Sequence, residues 1–370
     1  MMTLNYDGRG SWPVPKLPSV AVAGANGFIG NRLVERLVLH DLAIVRPLVR
    51  SFQGMARVAR FDLDCRVVDA TDSAALEREL KGCTVLFYCI YGDRGTLLKS
   101  AEAAYRAAAG AGVRRLVYLS STVVHGNAPR VGTHDDSELL ADQPFEYNVS
   151  KVLAEQRLRQ LRTDGAVQVV TLRPPIVFGP RSTWFSANVA RDLLTGRAFL
   201  IDRGSGICNT VYVDNLVEAM WLAASSDRAV NQDFIITDGE RVTWWDLYSS
   251  VALAVGADVD RVLQVDSAAL ASGAGYYRQQ VFAFLSRLPF GLKRTLRMVL
   301  PSGVISRAIK ALETPVPDPY IASSQCCSYV LPIGKARDML GYRPRLTFSE
   351  GAQRTGAWLR FALGIGDTTL

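Results

Sequence analysis

The segment VAVAGANGFIGNRLVERL sets Gly24, Gly27 and Gly30 between an apolar run and an amphipathic pattern. The run before the glycines predicts a β-strand, and the apolar spacing after them predicts a helix. Glycines at such a junction permit a tight turn and a close approach of the backbone to a pyrophosphate, which then lies at the helix N-terminus. An ordinary strand-to-helix turn is the alternative. We expect cofactor contacts from these glycines and from the residues between them, Asn26, Phe28 and Ile29.

The first 175 residues repeat this alternation of strand and helix, which predicts a parallel sheet flanked by helices. The predicted strands are 19–24, 43–49, 65–69, 84–90, 115–121 and 167–173. The predicted helices are 28–39, 73–81, 95–111 and 146–162. Because the strands are almost continuously apolar, we expect helices on both faces of the sheet. The predicted fold class is α/β, a Rossmann-type doubly wound parallel sheet with a smaller, mostly C-terminal substrate-binding lobe.

Changes in composition divide the chain into three parts. Residues 1–18 are polar and rich in Gly and Pro, lack the apolar core of a signal peptide, and predict a flexible leader. Residues 19–180 predict the dinucleotide-binding Rossmann domain. Beyond them the rhythm loosens, and short strands are expected near 211–213 and 234–236. Residues 181–370 therefore predict an interleaved substrate-binding lobe with some segments returning to the Rossmann core.

The composition is that of a soluble globular protein, with 49% hydrophobic and 21% charged residues among 370. The net charge of +7 is not gathered into a basic arm with aromatic residues, so nucleic acid is not expected as a partner. No run reaches the roughly 18 to 20 apolar residues of a membrane span. Six scattered cysteines and three histidines lack metal-ligand spacing, which favours reduced thiols, a cytoplasmic location and no metal site.

The strand end IVRPLVRSFQ bears on the choice between NAD and NADP. Dinucleotide sites often carry an acidic residue about 20 positions after the glycines, where it bonds the adenosine ribose. This segment has no acid; Arg50 stands there, with Ser51 beside it. Because arginine suits a 2′-phosphate, we predict NADP, with NAD as the alternative and a solvated arginine as the other interpretation. Further cofactor contacts are expected at Asp69, Ala70 and Cys89, although Asp69 could equally cap the helix at 73.

The stretch EYNVSKVLAE puts Tyr147 and Lys151 four positions apart, on one face of a helix, as any amphipathic helix can do. With the glycine loop and LVYLSSTVVHG, however, the chain resembles the extended short-chain dehydrogenase/reductase family. The loop resembles the family's GxxGxxG, Ser120 to Gly126 its strand-end serine motif, and Tyr147 to Lys151 its YxxxK. Three later segments resemble its remaining motifs: LRPPIVFGP, VYVDNLVEAM and KARDMLGYRPRLTFSEG.

This resemblance implies hydride transfer at a secondary alcohol or ketone, with Ser121, Tyr147 and Lys151 as the catalytic residues. Tyr147 would exchange the proton, while Lys151 would lower the pKa of Tyr147 and bond the nicotinamide ribose. Ser121 would orient the substrate oxygen. The resemblance also implies a loop beside the nicotinamide, formed by Pro174, Ile176 and Val177, and a homodimer through helices 95–111 and 146–162.

Substrate contacts are expected from Ser121, Thr122, His125, Arg181 and Asn209, with Tyr212 as a further candidate. Thr122 is the alternative catalytic hydroxyl if the strand register differs by one residue. His125 stands where the family usually has tyrosine, and a structural histidine with satisfied hydrogen bonds is the other interpretation.

No Asp-Glu pair follows Ser121, which argues against a sugar-nucleotide dehydratase. A keto-reductase or epimerase acting on a nucleotide-sugar is the main prediction. The alternative is a 3β-hydroxysteroid-dehydrogenase-like enzyme or natural-product ketoreductase with a hydrophobic substrate, because residues 279–312 are apolar with interspersed arginines. That segment could be a substrate lid, a membrane-surface helix pair or ordinary core. A non-catalytic dinucleotide-sensing protein is a third class, disfavoured because Tyr147 and Lys151 are both present.

Overall fold

The computed structural model describes residues 17–268 and 317–365. Its strands are β1 (Ser19–Ala23), β2 (Ile44–Val49), β3 (Arg66–Val67), β4 (Val85–Tyr88), β5 (Arg115–Leu119), β6 (Gln168–Arg173), β7 (Ile176–Phe178), β8 (Phe199–Ile201), β9 (Thr210–Tyr212), β10 (Asp233–Ile235) and β11 (Leu263–Val265). Its α-helices are α1 (Phe28–Leu39), α2 (Ser73–Leu80), α3 (Arg94–Gly110), α4 (Glu146–Leu161), α5 (Asn188–Leu194), α6 (Val213–Ser225), α7 (Trp244–Val255), α8 (Pro319–Gln325), α9 (Gly334–Leu340) and α10 (Phe348–Leu363). The apolar segment 279–312 and almost all of the predicted leader lie outside the described residues.

Seven strands form one parallel sheet in the order β10-β6-β5-β4-β1-β2-β3. The strand order reverses between β1 and β4, which is the point where ligands bind in doubly wound sheets. The fold class predicted from the sequence is confirmed, and each predicted strand and helix ends within two residues of the observed one. The three-residue strands β7, β8 and β11 were not predicted, because segments this short show almost no periodicity.

Alternate residues of β1 face opposite helical layers. Val20 and Val22 pack in one cluster with residues of α1 and α6, whereas Ala21 and Ala23 pack in another with residues of α2, α3 and α4. All four side chains are almost completely buried. A sheet covered on both faces in this way exposes only its ends, so the carboxyl end of the strands becomes the natural place for a site.

The second half of the chain builds a further core and also returns to the main sheet. Parallel pairs β7–β9 and β8–β11 stand apart from the main sheet, and α5, α7 and α10 enclose a cluster around Trp244. By contrast, β10 pairs with β6, where Phe234 lies opposite Leu172, and α9 contributes Ala336 to the main core. The boundary at residue 180 and the substrate-binding role of the second half stay predictions. None of the helices within the described ranges is long and apolar enough to cross a bilayer.

A buried ionic network joins α4 to the sheet. The guanidinium of Arg173, at the end of β6, donates to both carboxylate oxygens of Glu155 on α4, with a shortest distance of 2.6 Å. It also donates to the Asp135 carbonyl at 2.6 Å and lies 3.3 Å from Asp233 on β10 and from His125. Arg173 and Glu155 are at most 1% exposed. Since each ion is stabilised in this interior only by the other groups, the network holds α4 at one position along β6.

We predict that Arg173→Met lowers the free energy of unfolding by about 3–5 kcal/mol, because it leaves Glu155 buried without its counter-ion. Urea unfolding followed by circular dichroism measures this change. Arg191→Met is the control, because Arg191 is exposed on α5 and bonds only Asn188 among the contacts seen, and it should change stability by less than about 0.5 kcal/mol. Equal losses in the two variants would contradict the role given to the network.

Candidate active site

The glycine loop between β1 and α1 is pressed against the ends of two neighbouring strands. Gly24 has a φ of +82°, and a Cβ there would lie 2.7 Å from the carbonyl oxygen of Cys89. A Cβ at Gly30 would overlap the Gly24 carbonyl. The amides of Gly24 and Ala25 both donate to the Leu48 carbonyl, at 3.2 and 3.3 Å. Side chains are therefore excluded from this turn, and the backbone itself forms its surface.

The N-terminus of α1 suits a bound anion. Gly27 is the N-cap residue and supplies no side-chain cap, and the first turn contains no acidic residue. Asn26 and Gly27 are exposed, and Phe28 and Ile29 are half-buried. The unpaired amides and the helix dipole favour a phosphate group at this position. The loop and the helix end thus fit the pyrophosphate of a dinucleotide.

Arg50 is exposed at the end of β2, beside the half-buried Ser51. Asp69 lies near enough for the charge of Arg50 to act on it, although the pKa of Asp69 is lowered mainly by hydrogen bonds from Thr71. Those bonds, from the Thr71 amide and hydroxyl, are 2.9 and 2.8 Å long. The capping role considered for Asp69 is wrong, because Asp72 caps α2 by accepting from the Ala75 amide.

A second arginine at this end of the sheet was not predicted. Arg57, in the 3₁₀ turn Phe52–Arg57, donates through Nη1 to the Asn26 carbonyl at 3.0 Å and so reaches the glycine loop. Arg46, by contrast, binds the carbonyls of Glu79 and Lys81, which lie around α2. Only the contact itself identifies Arg57, since the sequence RSFQGMAR shows no motif that marks it.

The structure brings Ser121, Tyr147 and Lys151 together at the carboxyl end of β5. The Lys151 ammonium is 3% exposed, donates to the Leu119 carbonyl at 3.0 Å, and lies 5.9 Å from the ring centroid of Tyr147. Ser121 lies near enough to the Tyr147 phenol for its hydroxyl to lower the pKa of Tyr147. The charge of Lys151 also acts on Cys89, whose carbonyl contacts the glycine loop. The catalytic candidates and the loop are therefore neighbours.

Burial controls the protonation of this group. It lowers the pKa of Lys151 to about 8, although the Glu155 carboxylate acts in the opposite direction. Burial raises the pKa of Tyr147 well above its usual value, and the phenols of Tyr320 and Tyr91 add to the rise. The sequence-based expectation of a lowered pKa was for Lys151 together with an oxidised nicotinamide; in the protein alone, desolvation of the phenolate has the largest effect. Tyr147 is thus a neutral phenol at neutral pH.

Tyr147 has aromatic neighbours that the sequence did not predict. The rings of Tyr91 and Tyr147 lie 5.5 Å apart at an angle of 44°, and Phe145 meets Tyr320 edge-on at 5.1 Å. Tyr91 follows the end of β4, a position that sequence analysis could have marked as part of the site edge. Tyr320 lies on α8, about 170 residues after Tyr147, and no local sequence pattern predicts that it reaches the site.

The predicted nicotinamide loop runs beside the catalytic serine. The Pro174 carbonyl accepts the Thr122 amide at 3.0 Å, and the Ile176 amide donates to the Asn209 carbonyl at 3.2 Å. Pro174 is buried, whereas Ile176 and Val177 are half-buried, as are Ala70 and Cys89 at the other strand ends. Burial raises the pKa of Cys89 to about 12, so its side chain is a neutral thiol.

Three residues expected to bind substrate instead bind other parts of the protein. His125 is 4% exposed, with Nδ1 3.0 Å from the Glu138 carbonyl and Nε2 3.3 Å from Arg173. Arg181 donates to Asn31 and Glu35 on α1, at 3.0 and 3.2 Å. The amide of Asn209 donates to the Tyr329 carbonyl and accepts from the Leu331 amide. The Tyr212 phenol is buried. Substrate contact at these residues remains a prediction, and among them only Arg181 keeps an exposed side chain.

Within residues 17–268 and 317–365, no group of three or more His, Cys, Asp or Glu side chains could hold a metal ion. All six cysteines lie in these ranges as free thiols.

Comparison with known proteins relates the chain to NAD-dependent enzymes. The sequence model of the NAD dependent epimerase/dehydratase family matches residues 20–237. The UDP-glucose 4-epimerase of Vibrio cholerae is 29% identical over 65% of this chain and 77% of its own length. The 2-alkyl-3-oxoalkanoate reductase of Shewanella oneidensis is 22% identical over 93% of this chain and 87% of its own. The crystal structure of dTDP-glucose 4,6-dehydratase from Streptomyces venezuelae with NAD and TYD bound has a TM-score of 0.69, with 20% identity, and covers 94% of this chain and 99% of that one.

The buried position of His125 generates a pH prediction. Burial lowers the pKa of His125 to about 4, and the nearby charge of Arg173 acts in the same direction. In the unfolded chain a histidine titrates near pKa 6.5. Because the folded-state pKa is the lower one, its contribution to stability is complete above about pH 6.5 and is lost as the pH falls towards about 4.

We therefore expect the wild type to lose about 2 kcal/mol more unfolding free energy than His125→Asn between pH 7 and about pH 4.5. Denaturant titrations at both pH values measure the difference. His134→Asn, at an exposed histidine, should keep the wild-type pH dependence. The same pH dependence in all three proteins would show that His125 is not held neutral in the fold.

Proposed function

The chain belongs to the NAD dependent epimerase/dehydratase family, and from that premise we propose that it is an NAD(P)-dependent oxidoreductase acting at a secondary alcohol or ketone. The observation that carries this proposal is the convergence of Ser121, Tyr147 and Lys151 beside the glycine loop. A nicotinamide bound there would donate or accept the hydride. A non-catalytic sensing protein would have no need for a buried lysine beside a half-buried tyrosine.

Each catalytic side chain would have one task. Ser121 would hydrogen-bond the substrate oxygen, with Thr122 as the alternative hydroxyl, and Tyr147 would pass a proton to that oxygen or take one from it. Lys151 would bond the ribose of the cofactor and stabilise the phenolate that forms when the proton has left. Because burial favours the neutral phenol, the free protein is prepared to donate a proton.

We propose NADP as the preferred cofactor. Arg50 is exposed where a carboxylate would select NAD, and it stands free to pair with a 2′-phosphate. Arg57 adds a second positive charge near the glycine loop.

We also propose that the protein forms a homodimer through α3 and α4, which pack side by side, and that its location is cytoplasmic.

An epimerase acting on a nucleotide-sugar is the second candidate. It is supported by the 29% identity with a protein named UDP-glucose 4-epimerase. An epimerase would oxidise and then reduce the same substrate carbon with one bound nicotinamide, and would need the same three side chains. The Tyr147 test below applies to both candidates, and the substrate class is addressed in the next subsection.

We expect Tyr147→Phe to lower kcat about a thousandfold, because the phenyl ring keeps the packing but has no proton to exchange. NADPH oxidation would be followed with a panel of linear and cyclic ketones, and UDP-glucose conversion would be followed separately. The affinity for NADPH should be unchanged. Tyr248→Phe, in the core around α7, is the control and should turn over like the wild type. Undiminished turnover by Tyr147→Phe would refute the mechanism.

Arg50→Asp should weaken NADPH binding about tenfold or more and leave NADH binding equal or tighter, because a carboxylate repels the 2′-phosphate and can bond a ribose hydroxyl. Fluorescence titration of both reduced cofactors measures this. Arg78→Asp is the matched control: it makes the same charge change at an exposed position on α2. If Arg50→Asp binds NADPH as tightly as that control does, the assignment of NADP through Arg50 is incorrect.

A further inference from the structure

Three aromatic side chains from separate parts of the chain gather around Tyr147. Tyr91 follows β4, Phe145 precedes α4, and Tyr320 lies in the first turn of α8. The Tyr91 ring is 5.5 Å from that of Tyr147, and the phenol of Tyr320 is near enough to raise the pKa of Tyr147. Tyr91 is nevertheless 65% exposed. A large aromatic side chain left open to solvent beside a catalytic group is a surface suited to a ligand.

We call Tyr91, Phe145 and Tyr320 the aromatic wall, and an amide bridge through the half-buried Asn127 connects its Tyr320 to the catalytic helix. The side chain of Asn127 donates to the Tyr320 carbonyl at 3.1 Å and to the Ser323 hydroxyl at 2.8 Å. Its oxygen accepts from Asn148 at 2.7 Å. Asn148 is fully buried and follows Tyr147 directly in the sequence. The bridge therefore sets the position of Tyr320 relative to the proton donor before any substrate arrives.

Polar recognition has no comparable support in the same region. The side chains expected to bind a polar substrate each make hydrogen bonds within the protein: His125, Arg181 and Asn209. A sugar diphosphate bound through His125 and Asn209 would have to replace those bonds, whereas the Arg181 side chain is 44% exposed and bonds only through Nη1 among the contacts seen. An apolar ring meeting the wall would displace only water.

We propose that the substrate is a ketone or secondary alcohol whose reacting carbon belongs to, or adjoins, a flat apolar ring system that packs on Tyr91 and Tyr320. The proposal rests on the hydride-transfer function and names the substrate class of that same site. The substrate oxygen meets Ser121 and Tyr147, while the hydrophobic part lies along the wall. Asn127 is a positioning residue, since it acts through Tyr320.

The test compares cyclohexanone with decalone, which carries the same carbonyl and a second fused apolar ring, using the full chain saturated with NADPH. We expect kcat/KM for decalone to exceed that for cyclohexanone about tenfold or more, because only the larger ketone reaches the wall. Tyr91→Ala and Tyr320→Ala should each lower the ratio of the decalone value to the cyclohexanone value about tenfold, because only decalone loses its contact with the wall. Tyr91→Phe and Tyr320→Phe keep the rings and should retain the preference.

Asn127→Ala separates positioning from simple loss of structure. It should raise the KM for decalone about as much as Tyr320→Ala does, with a smaller effect on the KM for cyclohexanone and with the affinity for NADPH retained. Leu253→Ala, at a residue 76% exposed on α7, is the control and should behave as the wild type. A fall in kcat for both ketones, together with a lower melting temperature, would show that Asn127 only holds the fold together and would remove its positioning role.

Decalone binding can also be measured independently of turnover, by saturation-transfer NMR of decalone with the NADPH complex of the protein. Decalone binding that disappears in Tyr91→Ala and Tyr320→Ala supports the substrate class even if the wild type turns over neither ketone, in which case the hydride-transfer function fails instead. Absence of such binding overturns the substrate class. Conversion of UDP-glucose in a Tyr147-dependent manner, with no preference for decalone, also overturns it while leaving the hydride-transfer function in place.

Discussion

The position of the catalytic helix depends on one buried ion pair, Arg173 with Glu155. Glu155 is one turn beyond Lys151 on α4, and Lys151 is one turn beyond Tyr147. Holding the Glu155 carboxylate against β6 therefore sets the height of the two functional side chains above the ends of β5 and β6. Removing two charges from water is costly, and the geometry recovers that cost only while all the partners are present. An interaction with such strict geometry keeps the helix from sliding. Proton transfer to a defined substrate oxygen requires a helix held in place in this way.

The cofactor end of the sheet relies on a different kind of constraint, the absence of side chains. At Gly24 and Gly30 the backbone is packed so closely against Cys89 and against itself that a Cβ has no room. In the proposed complex, partial positive charge at the start of α1 and the arginines Arg50 and Arg57 would attract the phosphate groups. Close approach and charge would then come from separate residues, so cofactor preference could change at Arg50 without disturbing the turn.

Much of this could be predicted because its signals are local. The glycine spacing and the apolar runs of β1 to β6 identify the fold, and Ser121, Tyr147 and Lys151 lie in short segments next to predicted element ends. Tyr320 and the Asn127 bridge could not be predicted, since a contact between residues some 190 positions apart leaves no trace in the local sequence around either residue. The rise in the pKa of Tyr147 in the protein alone could not be predicted, because burial is a property of the folded surroundings and not of the four-residue spacing. His125, Arg181 and Asn209 look available in the sequence, and only the fold reveals the partners that occupy them.

The last strand of the sheet has a consequence for how the chain reaches its native state during synthesis. Asp233 on β10 accepts from Arg159, Arg162 and Arg173, and β10 covers the outer edge of β6. A ribosome that has released only the first 180 residues has therefore produced three arginines without this shared acid and a β6 whose backbone groups have no neighbour on one side. Such an edge invites pairing with other chains. The catalytic half of the molecule completes its own interior only after some fifty further residues have emerged, which ties its maturation to the half that follows.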